Sequence, residues 1–251
     1  MRNFYLFFIF VVNIVSCSTS KITDSDSEVT IDYKVTEKKV FADSISLQVQ
    51  RMEAGISRQT AEKNLEAVEA PDPSFYRLTV GKDKSRLSYI PSLEMGEGGA
   101  FSSRSSPFTQ ENSYKFKDSS AVYVDFSSKI PGVVMKVQNQ EFQWKAADKD
   151  TIISGIKAML FAGTNGNSKI KAWVTRQFPK ELSAYDSFSP HGFILAYELE
   201  TADEPPFKIQ TIKVYPQKIR STPGAEIKAP QWSKEMNRQE IIRQLNVRNS
   251  Q

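Results

Sequence analysis

Residues 155–199, GIKAMLFAGTNGNSKIKAWVTRQFPKELSAYDSFSPHGFILAYEL, commit this chain to a β fold. Ile156, Ala158, Leu160 and Ala162 alternate with Lys157, Met159 and Phe161. A second alternation covers 169–175, where Ile170, Ala172 and Val174 share one face and Lys169, Lys171 and Trp173 the other. Period-two patterning places one face of each strand inward. Between the two runs stands Thr164-Asn165-Gly166-Asn167, and Asn-Gly supplies the positive φ angles that a tight hairpin turn needs. Phe193, Ile194, Leu195, Ala196 and Tyr197 are apolar without alternation, as in a strand covered on both faces, so that strand is placed centrally.

The flanking segments carry the same signal more briefly. Val29, Ile31, Tyr33 and Val35 alternate with polar neighbours. Strands are also expected over 73–81 and 85–90, joined by the turn Lys82-Asp83-Lys84, and over 114–117, 121–126, 133–137, 142–145 and 207–215. Sixteen Phe, nine Tyr and three Trp suit pleated, half-buried surfaces. One helix is expected over 57–70, with Ser57 as cap, Ala61, Leu65 and Val68 on one face, and Pro71 as the stop. A second, short helix capped by Ser233 would present a poor apolar stripe of Met236, Ile241, Ile242 and Leu245. The fold class expected is therefore mainly β, a single strongly curved antiparallel sheet, half-barrel-like, of about eight to ten strands with one or two short covering helices.

Trp144, then Gly155-Ile156-Lys157-Ala158, Ile170-Lys171-Ala172-Trp173-Val174-Thr175, Pro179, and Pro190-His191-Gly192-Phe193-Ile194-Leu195 resemble the GLPGLI family of envelope proteins from Bacteroidota. Residues 29–35 resemble that family's first strand, 76–91 its second and third, and 114–126 the Tyr-rich pair that follows, so the resemblance spans roughly 28–215. The signature Gly-Leu-Pro-Gly-Leu-Ile stands here as Ser189-Pro190-His191-Gly192-Phe193-Ile194, and a Cys common in the family is replaced by Ala158. What the resemblance implies is a place in the cell envelope beside outer-membrane proteins, with no activity to carry over residue by residue.

The chain's beginning points to the same compartment. Arg2 precedes an apolar run over 4–15, too short to span a bilayer of roughly 30 Å as a helix but suited to the core of an export signal. Ile14-Val15-Ser16-Cys17 resembles a lipobox, in which Cys17 is acylated and becomes the first mature residue. Four segments follow: a lipoprotein signal peptide over 1–16, a Ser-, Thr- and Asp-rich tether over 17–27, the antiparallel domain over 28–216, and a basic polar tail over 217–251 that docks weakly or frays. Cys17 is the sole Cys, which excludes an intramolecular disulfide.

Chemistry is bounded by scarcity. A single His, His191, sits in a turn with no Gly-x-Ser-x-Gly nearby, and one His with one acylated Cys is a poor donor set for zinc, so no catalytic residue, metal or cofactor is assigned. The glycines in 95–112 lack the Lys-Ser/Thr of a phosphate loop. Residues 217–251 hold seven Lys or Arg against three Glu, a surplus equal to the whole net charge of +4, so the body is balanced and no nucleic-acid groove is expected. Trp173, Phe178, Tyr185, Phe188 and His191 are the candidates for ligand or partner contact. The expectation is a membrane-anchored periplasmic lipoprotein, held through Cys17 in the outer membrane, that binds rather than catalyses. Two alternatives stand beside it: a carrier of lipid or another hydrophobic ligand on the concave face of the sheet, and a hydrolase with paired carboxylates.

Overall fold

The alternation of Val29, Ile31, Tyr33 and Val35 becomes the buried side of a long strand, β1 (Ser27–Phe41), in a computed structural model that describes residues 27–41, 57, 71–91, 111–184, 187–204, 207–223 and 227–249. The expected export signal, Cys17, nearly all of the tether, the helix expected over 57–70 apart from Ser57, most of the loop over 95–112, and Tyr185 lie outside the described residues.

Then come β2 (Ser74–Val80), β3 (Lys84–Ile90), β4 (Ser113–Phe116), β5 (Ala121–Asp125), β6 (Val133–Gln138), β7 (Gln140–Glu141), β8 (Gln143–Ile153), β9 (Ile156–Asn165), β10 (Ser168–Thr175) and β11 (Ser187–Phe188). β12 (Phe193–Glu204), β13 (Phe207–Pro223), β14 (Lys234–Glu235) and the helix α1 (Arg238–Asn249) complete the described chain. Twelve strands form one open sheet in the order β14-β6-β5-β4-β3-β2-β1-β13-β12-β10-β9-β8, and β11 pairs with β7 apart from it. Every neighbouring pair in the large sheet is antiparallel except β14 with β6. The mainly β, single-sheet expectation holds, and among the described residues the sheet has two outer edges and does not close into a barrel.

Two meanders make this sheet, and the seam between them is the antiparallel pairing of β1 with β13, which runs from Ser27 opposite Pro223 to Phe41 opposite Phe207. The expected domain end at 216 needs correction, because β13 continues seven residues beyond it. Pro216 breaks no pairing there: it lies opposite Tyr33 at a register shift, with Lys218 opposite Asp32, and a bulge is one of the few interior sites a proline tolerates.

The hairpin between β9 and β10 turns on Gly166 and Asn167, with Asn165 still paired to Ser168. Gly166 has φ 53°, as the first position of a tight hairpin turn requires, so the turn sits one residue later than Asn-Gly suggests. Burial in β9 follows the expected face at Ile156 and Ala158 but then moves to Phe161 and Gly163, leaving Ala162 exposed. The pairing with β8 is irregular at this point, between Ala146 and Asp150, and Asp148 takes φ 34°. Such a bulge adds twist to the edge strand. β8 itself extends well past the expected 142–145, since an edge strand exposed along most of its length needs no apolar alternation.

β12 lies in the interior between β13 and β10, and residues 193–197 are each no more than 2% exposed. One core cluster gathers Tyr33, Val35, Tyr76, Leu78, Ala172, Ile170, Tyr197 and Val214 from the inner face, with Phe178 and Leu182 from the connection after β10.

The tail is anchored rather than frayed. Trp232 stacks on Tyr123 with centroids 5.8 Å apart and stands edge-on to Tyr114 and Phe116. Its Nε1 donates to Asp125 Oδ1 at 3.1 Å. β14 pairs with the edge of β6, and Met236 and Ile241 complete a second core with Ile130 and Val133. Ser233 is not the helix cap: Asn237 Oδ1 accepts from Glu240 N–H and Glu240 Oε2 accepts from Asn237 N–H, a reciprocal capping box. Of the expected stripe, Ile241 is buried while Ile242 is exposed.

Candidate functional site: the outer face of the sheet

Because successive side chains of a strand point to opposite faces, the pairing register fixes what shares the side away from the main core. Lys145 of β8 lies opposite Ala162, Ala162 opposite Lys171, Lys171 opposite Glu198, Glu198 opposite Lys213, and Lys213 opposite Thr36 of β1. A single row therefore crosses five paired interfaces, with Lys145, Lys171 and Lys213 exposed along it.

Beside this row Trp173 lies opposite Leu160 and Ala196, and Tyr215 lies opposite Lys34, which faces Phe75. The Trp173 and Tyr215 rings meet at 5.5 Å and 51°. Tyr215 Oη donates to Glu198 Oε1 at 2.7 Å, and Lys213 Nζ stands 3.3 Å from the same oxygen. Burial by itself would push the Glu198 carboxyl up, but the bonds from Tyr215 and Lys213 and the charges of Lys213 and Lys171 outweigh it and hold the group below its ordinary value. Tyr215 moves upward, first through burial and then through its bond to the Glu198 carboxylate, so it stays a protonated donor.

The depressed Glu198 carboxyl has a stability consequence. A group whose folded pKa lies below its unfolded value stabilises above the unfolded value, about 4.3 for Glu, and that contribution is lost as pH falls through the folded value. Glu198→Gln is expected to flatten the acid limb of a urea-midpoint profile; parallel profiles for parent and variant would remove this linkage.

Farther along the same face, Arg77 Nε donates to Asp32 Oδ1 at 2.7 Å and Arg220 to Asp32 Oδ2 at 2.5 Å. The bond to Asp32 is the main cause raising the Arg77 pKa. Near the opposite edge, an open depression of about 620 Å³ is lined by Phe116, Asp118, Ser119, Ser120, Tyr123, Lys136 and Gln138. Tyr123 shares its hydroxyl with Ser119 Oγ at 3.3 Å, and Lys136 Nζ lies 5.9 Å from the ring centroid.

Of the candidates, Trp173, Phe178 and His191 are not gathered into one platform. Trp173 belongs to the outer face with Tyr215. Phe178 is buried edge-on against Phe193 at 5.1 Å. His191 is exposed and stacks on Phe161 at 4.4 Å and 11°, but Phe161 lies opposite Ala172, so this pair sits on the other face from Trp173. The Phe188 backbone pairs with Glu141 in the small sheet, and Tyr185 lies outside the described residues, as does Cys17. Among the described residues, no three His, Cys, Asp or Glu side chains gather where a metal ion could sit. Sequence reading passed over Glu198, Lys213 and Tyr215; Lys213 and Tyr215 alternate with the buried Ile212 and Val214, which was the available signal.

No protein-family model matches the chain, and no curated protein matches it. Among solved structures it is similar to PNGF-II in two crystal forms. The C2 form aligns over 86% of this chain and 32% of its own, at 12% identity and a TM-score of 0.43. The P21 form aligns over 86% and 33%, at 11% identity and a TM-score of 0.41. The chain thus spans about a third of the length of these structures.

Proposed function

We propose that this chain is a lipid-anchored, non-enzymatic binding module of the bacterial envelope, of the GLPGLI type, held by Cys17 in the outer membrane and working beside outer-membrane proteins through the outer face of its sheet. The observation that carries the binding reading is the Trp173–Tyr215 pair set beside the registered row Lys145, Lys171, Glu198 and Lys213, an exposed face on which aromatic and charged groups hold fixed relative positions. The anchor rests on the apolar run ending in Ile14-Val15-Ser16-Cys17.

Acyl burial contributes about 0.8 kcal/mol per methylene, so two or three chains make release negligible where one binds only marginally. Cys17→Ala is expected to move the protein from the membrane to the soluble fraction of the cell and to abolish its labelling by palmitate. Unchanged membrane retention, together with an unlabelled parent protein, would refute the anchor.

A further inference from the structure

We propose that the outer face between β8 and β13 binds an acidic polysaccharide, a sugar polymer in which anionic and neutral residues alternate, with Lys145, Lys171 and Lys213 meeting its carboxylates and Trp173 and Tyr215 stacking on its rings. The proposal rests on the reading of this face as the binding surface.

Spacing is the first argument. Strands lie about 4.8 Å apart, and Lys145, Lys171 and Lys213 sit on every second strand of the order β8-β9-β10-β12-β13, so the backbone positions that carry these lysines recur at about 10 Å along a line perpendicular to the strands. An evenly spaced linear array fits an extended polymer better than a compact ligand.

Sign is the second. Glu198 stands in register between Lys171 and Lys213. A polyphosphate backbone offers no hydrogen-bond donor to a carboxylate and meets it only as repulsion, whereas sugar hydroxyls donate to it. An alternating row therefore favours a polymer in which charge is interrupted by neutral hydroxylated units over a nucleic acid with a phosphate at every step.

Ring placement is the third. Trp173 and Tyr215 are half-buried, and the Tyr215 hydroxyl is held by Glu198, so these rings lie on the sheet and do not project to enter a bilayer. Rings fixed in this way suit stacking against the apolar face of a pyranose. The two preceding arguments concern charges that salt screens, so affinity should fall as ionic strength rises.

The test is a calorimetric titration of the full chain, solubilised in mild detergent, with four probes: a hyaluronate octasaccharide, a neutral chito-oligosaccharide of equal length, single-stranded DNA, and vesicles containing anionic lipid. Hyaluronate is expected to bind most tightly. The Lys145→Gln/Lys171→Gln variant, altered at two exposed positions, should weaken it about tenfold while the protein keeps a cooperative thermal melt. No binding of hyaluronate, equal binding by parent and variant, or tighter binding of DNA or of vesicles would overturn the proposal. A negative titration with the acyl anchor intact removes the polysaccharide and leaves the anchor standing; failure of the anchor appears in the Cys17→Ala fractionation and does not alter this titration.

Discussion

A chain carrying Ile194→Asp is expected not to fold. Ile194 is 2% exposed within a strand whose residues 193–197 are all buried, so a carboxylate there gains no water and no cationic partner. Burying an unpaired charge is among the few single changes that cost more than about 4 kcal/mol, against a total stability of about 5–15 kcal/mol for a typical domain. Gly192→Val attacks the same strand through space instead of charge. A Cβ at Gly192 would lie 2.5 Å from the Thr175 carbonyl oxygen and 2.8 Å from Val174 Cγ1, so the backbone of β10 must move, at an expected cost of about 3 kcal/mol. His191→Ala is the control: the exposed imidazole rests on Phe161, and its loss should change stability by no more than about 1 kcal/mol. Thermal melting of the three proteins side by side decides the matter. A cooperative melt for Ile194→Asp near that of the parent would take β12 out of the core.

The second large effect lies in a segment that looks expendable from its composition. Trp232→Ala is expected to destabilise the protein by about 3 kcal/mol, the lower end for removal of a packed tryptophan, because one indole holds three aromatic rings and a hydrogen bond to Asp125 at once. Asp125 is itself buried and would retain its bond from Ser127 N–H while losing the indole donor. The loss should be local first. Amide exchange ought to quicken in β4, β5 and β6 before it does in β12, since the second core of Ile130, Val133, Met236 and Ile241 is separate from the main one. Uniform exchange across the sheet, or a change in urea midpoint within error, would show that the tail does not hold this edge.

What the sequence by itself determined are the local features. Alternation marked β1, β9 and β10, and an uninterrupted apolar run marked β12, because period and polarity are written into neighbouring residues. It also supplied Trp173 as a candidate contact. The tertiary structure alone decided everything that depends on long-range pairing. The seam of β1 with β13 joins residues nearly two hundred positions apart, and no local pattern encodes which strand will meet which. The row from Lys145 to Lys213 exists only because four registers coincide, and a slip of one residue in any of them would send part of it to the other face. Parity likewise placed Trp173 and His191 on opposite sides of a sheet on which they are close in sequence. The packing of the tail escapes a local pattern for a related reason: Trp232, Met236 and Ile241 are sparse along the chain, and only folding brings them against Tyr123 and Ile130, where a few well-placed side chains outweigh a polar average.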